Sequence, residues 1–484
     1  MITMIAMRTP LAVLPALLAA LLLVVAPATR ARADLLGDKL TLRDENKMGR
    51  EFDTIIRSQM PMVGDTYITD YVAEVVARVV TGKRPMPYQI KSAVIANPLI
   101  NAFAIPGGFI YIFTGLIQDV ETESQLAGVV AHELAHVSQR HVVNRLEKQK
   151  KISLLSTAGI LAGVLLGVAT GGSSGAAAGQ ALMIGSSGVA TAAMLHYSQE
   201  DEREADQVGM NSLVKAGYNP EGMPQTFEIM LKNKWYDSSS SMPSYLSTHP
   251  GTEERIGYLK DRIARMPTEF TTRKDDNTRL KRVQVLVRSR MSPANTALAY
   301  WDDMKQADYT AMDWVGRGIT LERLKRIEDA QKAFNSALAM DRNDQLVVRE
   351  AGIFYFKTGR PDQALPLLQQ AAIMNKRDAM ALFYLARLQA EAKQYDQAAR
   401  NMSKVNELVP EDWEVHQHLG MILGESGDPF SGNLHLAYSG VYSMDLGKAR
   451  RYLNQAQSLA TTEAQKEQLQ QLSETIKTRA ALKK

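Results

Sequence analysis

From residue 311 onward the chain repeats itself every 34 residues, and that period constrains its fold more than any other feature. Gly318, Gly352, Ala386 and Gly420 fall in phase, as do Ala330, Ala364 and Ala398. Phe334, Leu368 and Met402 follow, then Ala337, Ala371 and Val405. Small residues let two helices approach closely, and one large side chain per unit fills the space between them. Each unit therefore reads as a helix pair that buries its apolar face only against its neighbours, which predicts an all-α solenoid over 311–484. Ala449, Leu453 and Ala456 repeat the small–large–small spacing, but 51 residues after the preceding set rather than 34. The offset predicts an extra segment of 17 residues containing Gly427-Asp428-Pro429.

A 34-residue unit of this kind is that of tetratricopeptide repeats, and Trp314, Pro410 and Tyr395-Asp396-Gln397-Ala398 fit the same consensus. At 484 residues the chain is too long for one core, so at least one further domain precedes the repeats. Net charge is +4, of which Arg8, Arg30 and Arg32 in the first 33 residues supply three. The rest is nearly neutral, which gives no compositional support for a nucleic-acid partner. Leu11 to Val25 is an apolar run too short to span a bilayer comfortably, preceded by Arg8 (or opened at Met7) and followed by Ala31-Arg32-Ala33. Residues 1–33 thus read as a cleavable export signal, and a cysteine-free exported chain suggests the periplasm. The absence of cysteine also excludes disulfides, zinc thiolates and cysteine nucleophiles.

Between signal and repeats the patterning is mixed. Ile68, Tyr71, Val72, Val75, Val76 and Val79 carry helical periodicity, whereas Tyr88–Ala96, Asn101–Ile105 and Phe109–Phe113 are β-rich runs broken by Asn97-Pro98 and Pro106-Gly107-Gly108. A long helix is expected from Thr122 to Leu146, opened by Thr122 and Gln125 at capping-box spacing. A second runs from an N-cap at Ser198 to Ala216 and stops at Gly217. The expectation over 34–265 is an α+β domain, mostly helical with a small sheet. Within it, 152–195 is rich in glycine and alanine and reads as a lid or flap that leaves a peripheral membrane contact open. The charged stretch beginning near 266, with Arg273-Lys274-Asp275-Asp276, reads as linker and leading helices up to 310.

The chemistry is concentrated in His132-Glu133-Leu134-Ala135-His136. Positions i and i+4 share one face of a helix, so both imidazoles can meet a single ion. Glu133 lies about 100° further round, where it reaches a water without being a ligand. Zinc in a catalytic site takes three protein ligands and leaves one position open, lowering the pKa of a water whose proton Glu133 can accept. Leu126, Val129, Val130 and Val137 make this a buried helix, in which histidines and a glutamate need partners.

The third ligand is less determined. An H-E-x-x-H-x-x-G-x-x-H arrangement fails, because its glycine and histidine slots hold Gln139 and Val142, and His141 is one residue out of phase and expected to point elsewhere. The segment Glu200-Asp201-Glu202-Arg203-Glu204-Ala205-Asp206 offers several carboxylates. Glu202 and Asp206 share a helix face, so that one can ligate while the other accepts an imidazole N–H. Glu204 points away from that face, toward Arg203 and solvent, and an acid-rich first turn also suits the helix dipole.

Taken together, H-E-L-A-H-V-S-Q-R-H, the later E-R-E-A-D and the preceding N-A-F-A-I-P-G-G-F-I-Y-I-F-T-G-L resemble the HtpX/CAAX-prenyl-protease family of zinc peptidases. The resemblance implies a peptide-bond hydrolase with one Zn2+ per chain, held by His132, His136 and Glu202, with Glu133 as base and Asp206 behind a ligand histidine. It implies that Asn101–Phe113 flanks the cleft, with Asn101, Ala102, Phe103, Ala104, Gly107 and Gly108 lining an extended substrate. His249, in Ser247-Thr248-His249-Pro250, is expected to stabilise the oxyanion or to fill the open zinc position and restrain the enzyme. His196, His416, His418 and His435 read as structural or exposed. With an export signal and repeats attached, the resemblance implies quality control of exported proteins: unfolded or stalled outer-membrane proteins as clients, and the outer-membrane β-barrel assembly complex docked on the repeats. The competing expectation is a chaperone or scaffold with a restrained or vestigial protease.

Overall fold

A computed structural model describes residues 40–82, 86–148, 197–236 and 244–481. The export signal at 1–33 and the Gly/Ala-rich stretch 152–195 lie outside the described residues, as does His196. Among the described residues no helix is long and apolar enough to cross a membrane.

The first unit opens with helices α1 (Leu42–Gln59) and α2 (Thr66–Thr81), followed by strands β1 (Lys91–Ile95), β2 (Ala102–Ile105) and β3 (Phe109–Phe113). Sheet order is β1-β3-β2, with β1 parallel and β2 antiparallel to β3. β3 is central and buried at every position, as a strand covered on both faces should be. Helix α3 (Thr114–Asp119) leads to α4 (Glu123–Ser138), which is buried from Ser124 to Val137. Thr122 closes the expected capping box with Gln125. The expected continuous helix breaks at Arg140, whose φ is 56°, and restarts as α5 (His141–Lys148). Helices α6 (Gln199–Lys215), α7 (Gly222–Tyr236), α8 (Ser244–Thr248) and α9 (Thr252–Ile263) complete the unit. Gly209 lets α6 lie directly on α4: a Cβ there would come within 3.0 Å of the Ala131 carbonyl oxygen.

The charged stretch read as a linker is part of this architecture. Arg273 donates to the Val214 and Tyr218 carbonyls at the C-terminal end of α6, at 2.7 and 2.9 Å. Asp275 accepts from the Ser124 amide and hydroxyl, and Asn277 from the Glu123 amide, at the N-terminal end of α4. Each charge complements the helix end it meets. Helix α10 (Thr278–Met291) follows and buries Leu280, Val283 and Leu286, while Gln284 donates to the Ile117 and Val120 carbonyls. Helix α11 (Ala294–Asp303) leads into the solenoid.

The solenoid consists of α12 (Ala311–Arg323), α13 (Ile327–Met340), α14 (Gln345–Lys357), α15 (Pro361–Met374), α16 (Ala379–Glu391), α17 (Tyr395–Leu408), α18 (Trp413–Glu425), α19 (Pro429–Tyr442), α20 (Leu446–Leu459) and α21 (Glu463–Ala481). It corrects the expectation of an extra segment. α19 begins 34 residues after α17, and the turn before it belongs to the regular series: Lys325, Gly359, Lys393 and Gly427, at that same spacing, all have positive φ. Ala449, Leu453 and Ala456 instead lie on the first helix of the next pair, half a repeat further on.

The two units meet through a buried ionic cluster. Arg349 on α14 is fully buried and donates to Asp65, at the head of α2, and to Glu350 and Asp378. Arg290 on α10 pairs with both Asp65 and Glu350. Thr66 bonds the Ala379 amide at 3.1 Å, and Arg479 on α21 reaches back to the Thr54 carbonyl on α1.

Candidate metal centre

Helix α4 supplies His132 and His136, whose Nε2 atoms lie 2.9 Å apart. Glu202, in the first turns of α6, places Oε2 3.3 Å from His132 Nε2 and Oε1 3.3 Å from His136 Nε2. His249, just after α8, brings Nδ1 to 2.9 Å from Glu202 Oε1 and 3.3 Å from His132 Nε2. The four potential ligand atoms all lie within 4.8 Å of one another, and all four residues are buried. Glu202 is thus the carboxylate of its segment that meets both histidines.

Around this core sits a bracing layer. Asp206, one turn after Glu202, accepts from His132 Nδ1 at 2.9 Å. Arg255 on α9 holds Asp206 with two bonds of 2.8 Å, pairs with Glu202, and stacks its guanidinium over Phe227 at 4.4 Å. Tyr258 donates to Asp206 as well. Arg255, which follows Ser247-Thr248-His249-Pro250 in the sequence, carries no role that the sequence alone assigns. Tyr197 stacks on His136, and the His249 ring lies between Tyr197 and Tyr245, at 5.0 and 4.2 Å.

The electrostatics follow from burial. Burial and the Arg255 charge act against a proton on His132, but Glu202 and Asp206 outweigh them and hold its pKa up at about 9. Burial pushes His136 well below the ordinary histidine value. Burial would raise Glu202 too, yet His249, Arg255 and His132 hold it well below the carboxylate range. Glu133 is pushed up by burial, and His249 Nε2 lies 3.6 Å from one of its oxygens. Among the described residues neither Glu133 oxygen finds a hydrogen-bond partner, a costly arrangement for a buried carboxylate.

These features fit a divalent cation. With Nδ1 of His132 committed to Asp206, the neutral ring turns a lone pair on Nε2 toward His136. Two imidazole lone pairs and a carboxylate 3 Å apart repel one another unless a proton or a cation lies among them, and a metal ion displaces that proton. The donor set, two nitrogens and an oxygen, suits zinc.

The remaining predicted positions divide. β2 is an edge strand, with Ala102 and Ala104 buried and Phe103 stacked on Tyr111 at 4.9 Å. Asn101 is buried, and its carbonyl accepts from the Phe113 amide. Gly107 and Gly108, expected to leave room for a substrate backbone, are packed against this chain instead. A Cβ on Gly107 would meet the Glu45 carbonyl oxygen at 3.1 Å, and one on Gly108 the Tyr88 ring at 2.8 Å. The cleft-lining expectation therefore narrows to the β2 edge. His141, expected to point elsewhere, faces His136, and Glu204, expected in solvent beside Arg203, faces His141. His416 and His435 bond each other between α18 and α19, away from the centre.

Comparison with known proteins bears on the same residues. Residues 64–263 match the model of peptidase family M48, and residues 355–422 a tetratricopeptide-repeat model. Residues 64–263 form a peptidase family M48 domain. The chain is accordingly a metalloendopeptidase carrying tetratricopeptide repeats, mostly helical with one small sheet, as the motifs implied. It is 26% identical over 415 residues to the beta-barrel assembly-enhancing protease of Escherichia coli K12, covering 77% of this chain and 84% of that one. Over 243 residues it is 28% identical to the protein of the same name from Yersinia pestis, covering 50% and 48%. It also resembles the mitochondrial metalloendopeptidase OMA1 of Arabidopsis thaliana, at 29% over 168 residues, 34% of this chain and 30% of that one.

Proposed function

We propose that this chain is a zinc endopeptidase acting on exported proteins, with His132, His136 and Glu202 holding one Zn2+ and Glu133 serving as general base. One observation carries the reading: three ligating groups converge on a point beside a buried carboxylate that finds no hydrogen-bond partner among the described residues. Zinc bound there supplies a Lewis acid for a peptide carbonyl and lowers the pKa of a water. Glu133 removes the proton from the attacking water, and its burial-raised pKa suits the protonated form to deliver that proton to the leaving amine. Asp206 keeps His132 in the tautomer that offers Nε2, while Arg255 and Tyr258 keep Asp206 charged and in place. The outer edge of β2, which pairs with no further strand among the described residues, accepts an extended client as an added strand, recognised through main-chain bonds rather than side chains.

The proposed organisation is an export signal at 1–33, a peptidase unit at 34–265, a connecting region at 266–310 and repeats at 311–484. The name of the Escherichia coli relative ties that protein to β-barrel assembly; on that likeness, the setting proposed here is the periplasm, the clients are unfolded or stalled outer-membrane proteins, and the repeats dock the β-barrel assembly complex. His249 in contact with Glu202 and His132 favours a restrained state, in which this imidazole fills the fourth position until a client enters. The test is cleavage of casein or an unfolded outer-membrane protein by wild type and Glu133→Gln. The base requires a loss of about 10²–10⁴-fold, and equal activity rejects it.

A further inference from the structure

The break in the active-site helix has a chemical result. Arg140 adopts φ 56°, which turns the chain so that His141, out of phase on a continuous helix, packs its ring against His136. The two Nδ1 atoms are 2.8 Å apart. On the far side of the His141 ring, Nε2 lies 3.1 Å from Glu204 Oε2 and 3.9 Å from Asp201 Oδ1. The His141 side chain is 3% exposed and that of Glu204 51%. A run of imidazole, imidazole and carboxylate therefore leads from the centre to the surface.

Counting protons gives this run one polarity. For His136 to present Nε2 as a ligand, its single ring proton must sit on Nδ1. Among the described residues the acceptor in reach of that proton is His141 Nδ1, 2.8 Å away, which must then be the unprotonated nitrogen of its ring. The His141 proton is thereby placed on Nε2, where Glu204 accepts it. The same logic runs through His132, whose Nδ1 proton goes directly to Asp206. Each histidine of the pair thus has its own backing acceptor: a fully buried carboxylate for one, and a second imidazole tied to a half-exposed carboxylate for the other.

We infer that His141 is a positioning residue for the metal centre, fixing the tautomer and ring plane of His136 through the Nδ1–Nδ1 bond, with Glu204 anchoring His141 in turn. This rests on the proposal that His136 is a ligand. Removing such a backing group characteristically weakens metal binding by roughly 10–100-fold. The experiment is zinc affinity by chelator competition on the full mature chain, for wild type, His136→Ala, His141→Ala, His141→Asn and Glu204→Ala, alongside thermal melts of the chelator-stripped proteins. The expected result is a loss of roughly 10–100-fold for His141→Ala at an unchanged apo melting temperature. His141→Asn, whose amide oxygen can take the Nδ1 proton, recovers most of that loss, and Glu204→Ala falls between wild type and His141→Ala. If His141→Ala binds zinc as wild type does while His136→Ala does not, the positioning role is overturned and the ligand set stands. If His136→Ala also binds as wild type does, the ligand assignment itself fails. Should His141→Ala not fold, His141→Asn binding more than tenfold weaker than wild type at a wild-type apo melting temperature overturns the role as well.

Discussion

Two buried arginines, Arg349 and Arg255, organise this molecule, and they do opposite things. Arg349 joins the peptidase unit to the repeats, pairing with Asp65, Glu350 and Asp378, and Arg290 supplies a second cation to the same group. Nothing charged in that cluster lacks a partner, and its carboxylates Asp65 and Glu350 are held below their usual range by the two guanidiniums despite burial. Arg255 likewise grips two carboxylates, Glu202 and Asp206, but a third beside them, Glu133, has no hydrogen bond among the described residues, and two histidines crowd onto one point. A cluster built for cohesion closes its hydrogen bonds, whereas one built for chemistry leaves some open for what it binds. The first is a joint and the second a site.

The contrast can be broken from either side. Glu133→Gln should lower proteolysis by about 10²–10⁴-fold while leaving the melting temperature equal or higher, since a neutral amide sheds the cost of a buried charge. Arg349→Met should do the reverse. It strands buried carboxylates and costs roughly 3–5 kcal/mol of stability, seen as an earlier denaturant midpoint. Activity per folded molecule should stay near wild type. If Arg349→Met instead abolished cleavage in fully folded protein, the joint and the site would not be separate. A smaller effect is expected from His249→Ala: if this imidazole restrains the centre, basal cleavage of an unfolded protein rises several-fold, and unchanged or reduced activity argues against restraint.

The smallest effect separates the units by pH. In the repeats, burial together with Arg387 for His418, and with His416 for His435, lowers both pKa values to about 4. A histidine near 6.5 when unfolded and near 4 when folded takes up its proton first in the unfolded state. Stability is then fully present above about 6.5 and is lost as pH falls toward 4, by at most ~1.4 kcal/mol per pH unit per histidine. In melts between pH 7 and 5, wild type should lose stability relative to a His418→Asn/His435→Asn double variant as pH falls. Parallel curves would exclude these two groups as the source.

What could be read from the sequence was what depends on spacing within one element. H-E-x-x-H reports a shared helix face, the acid-rich segment narrows the third ligand to a few candidates, and the 34-residue period reports stacked helix pairs. What could not be read depends on backbone breaks and on partners far away in the chain. The positive φ of Arg140 carries no local glycine signal, so nothing in the sequence brings His141 against His136 or Glu204 against His141. The charges at 273–276 look like a linker because their partners, the ends of α4 and α6, lie some 60 to 150 residues away. The repeat phase is hidden because a half-repeat offset brings small–large–small spacing onto the other helix of a pair, while Lys and Gly alternate at the turns that keep true register.

The central claim, that His132, His136 and Glu202 together hold one metal ion, is tested most directly by counting zinc in purified protein after loading and removal of excess. Wild type and Glu133→Gln should each retain about one zinc per chain, and folded Glu202→Gln and His132→Ala should retain almost none. Wild-type protein that folds yet binds no zinc, or a His132→Ala variant that keeps a full complement, would contradict it.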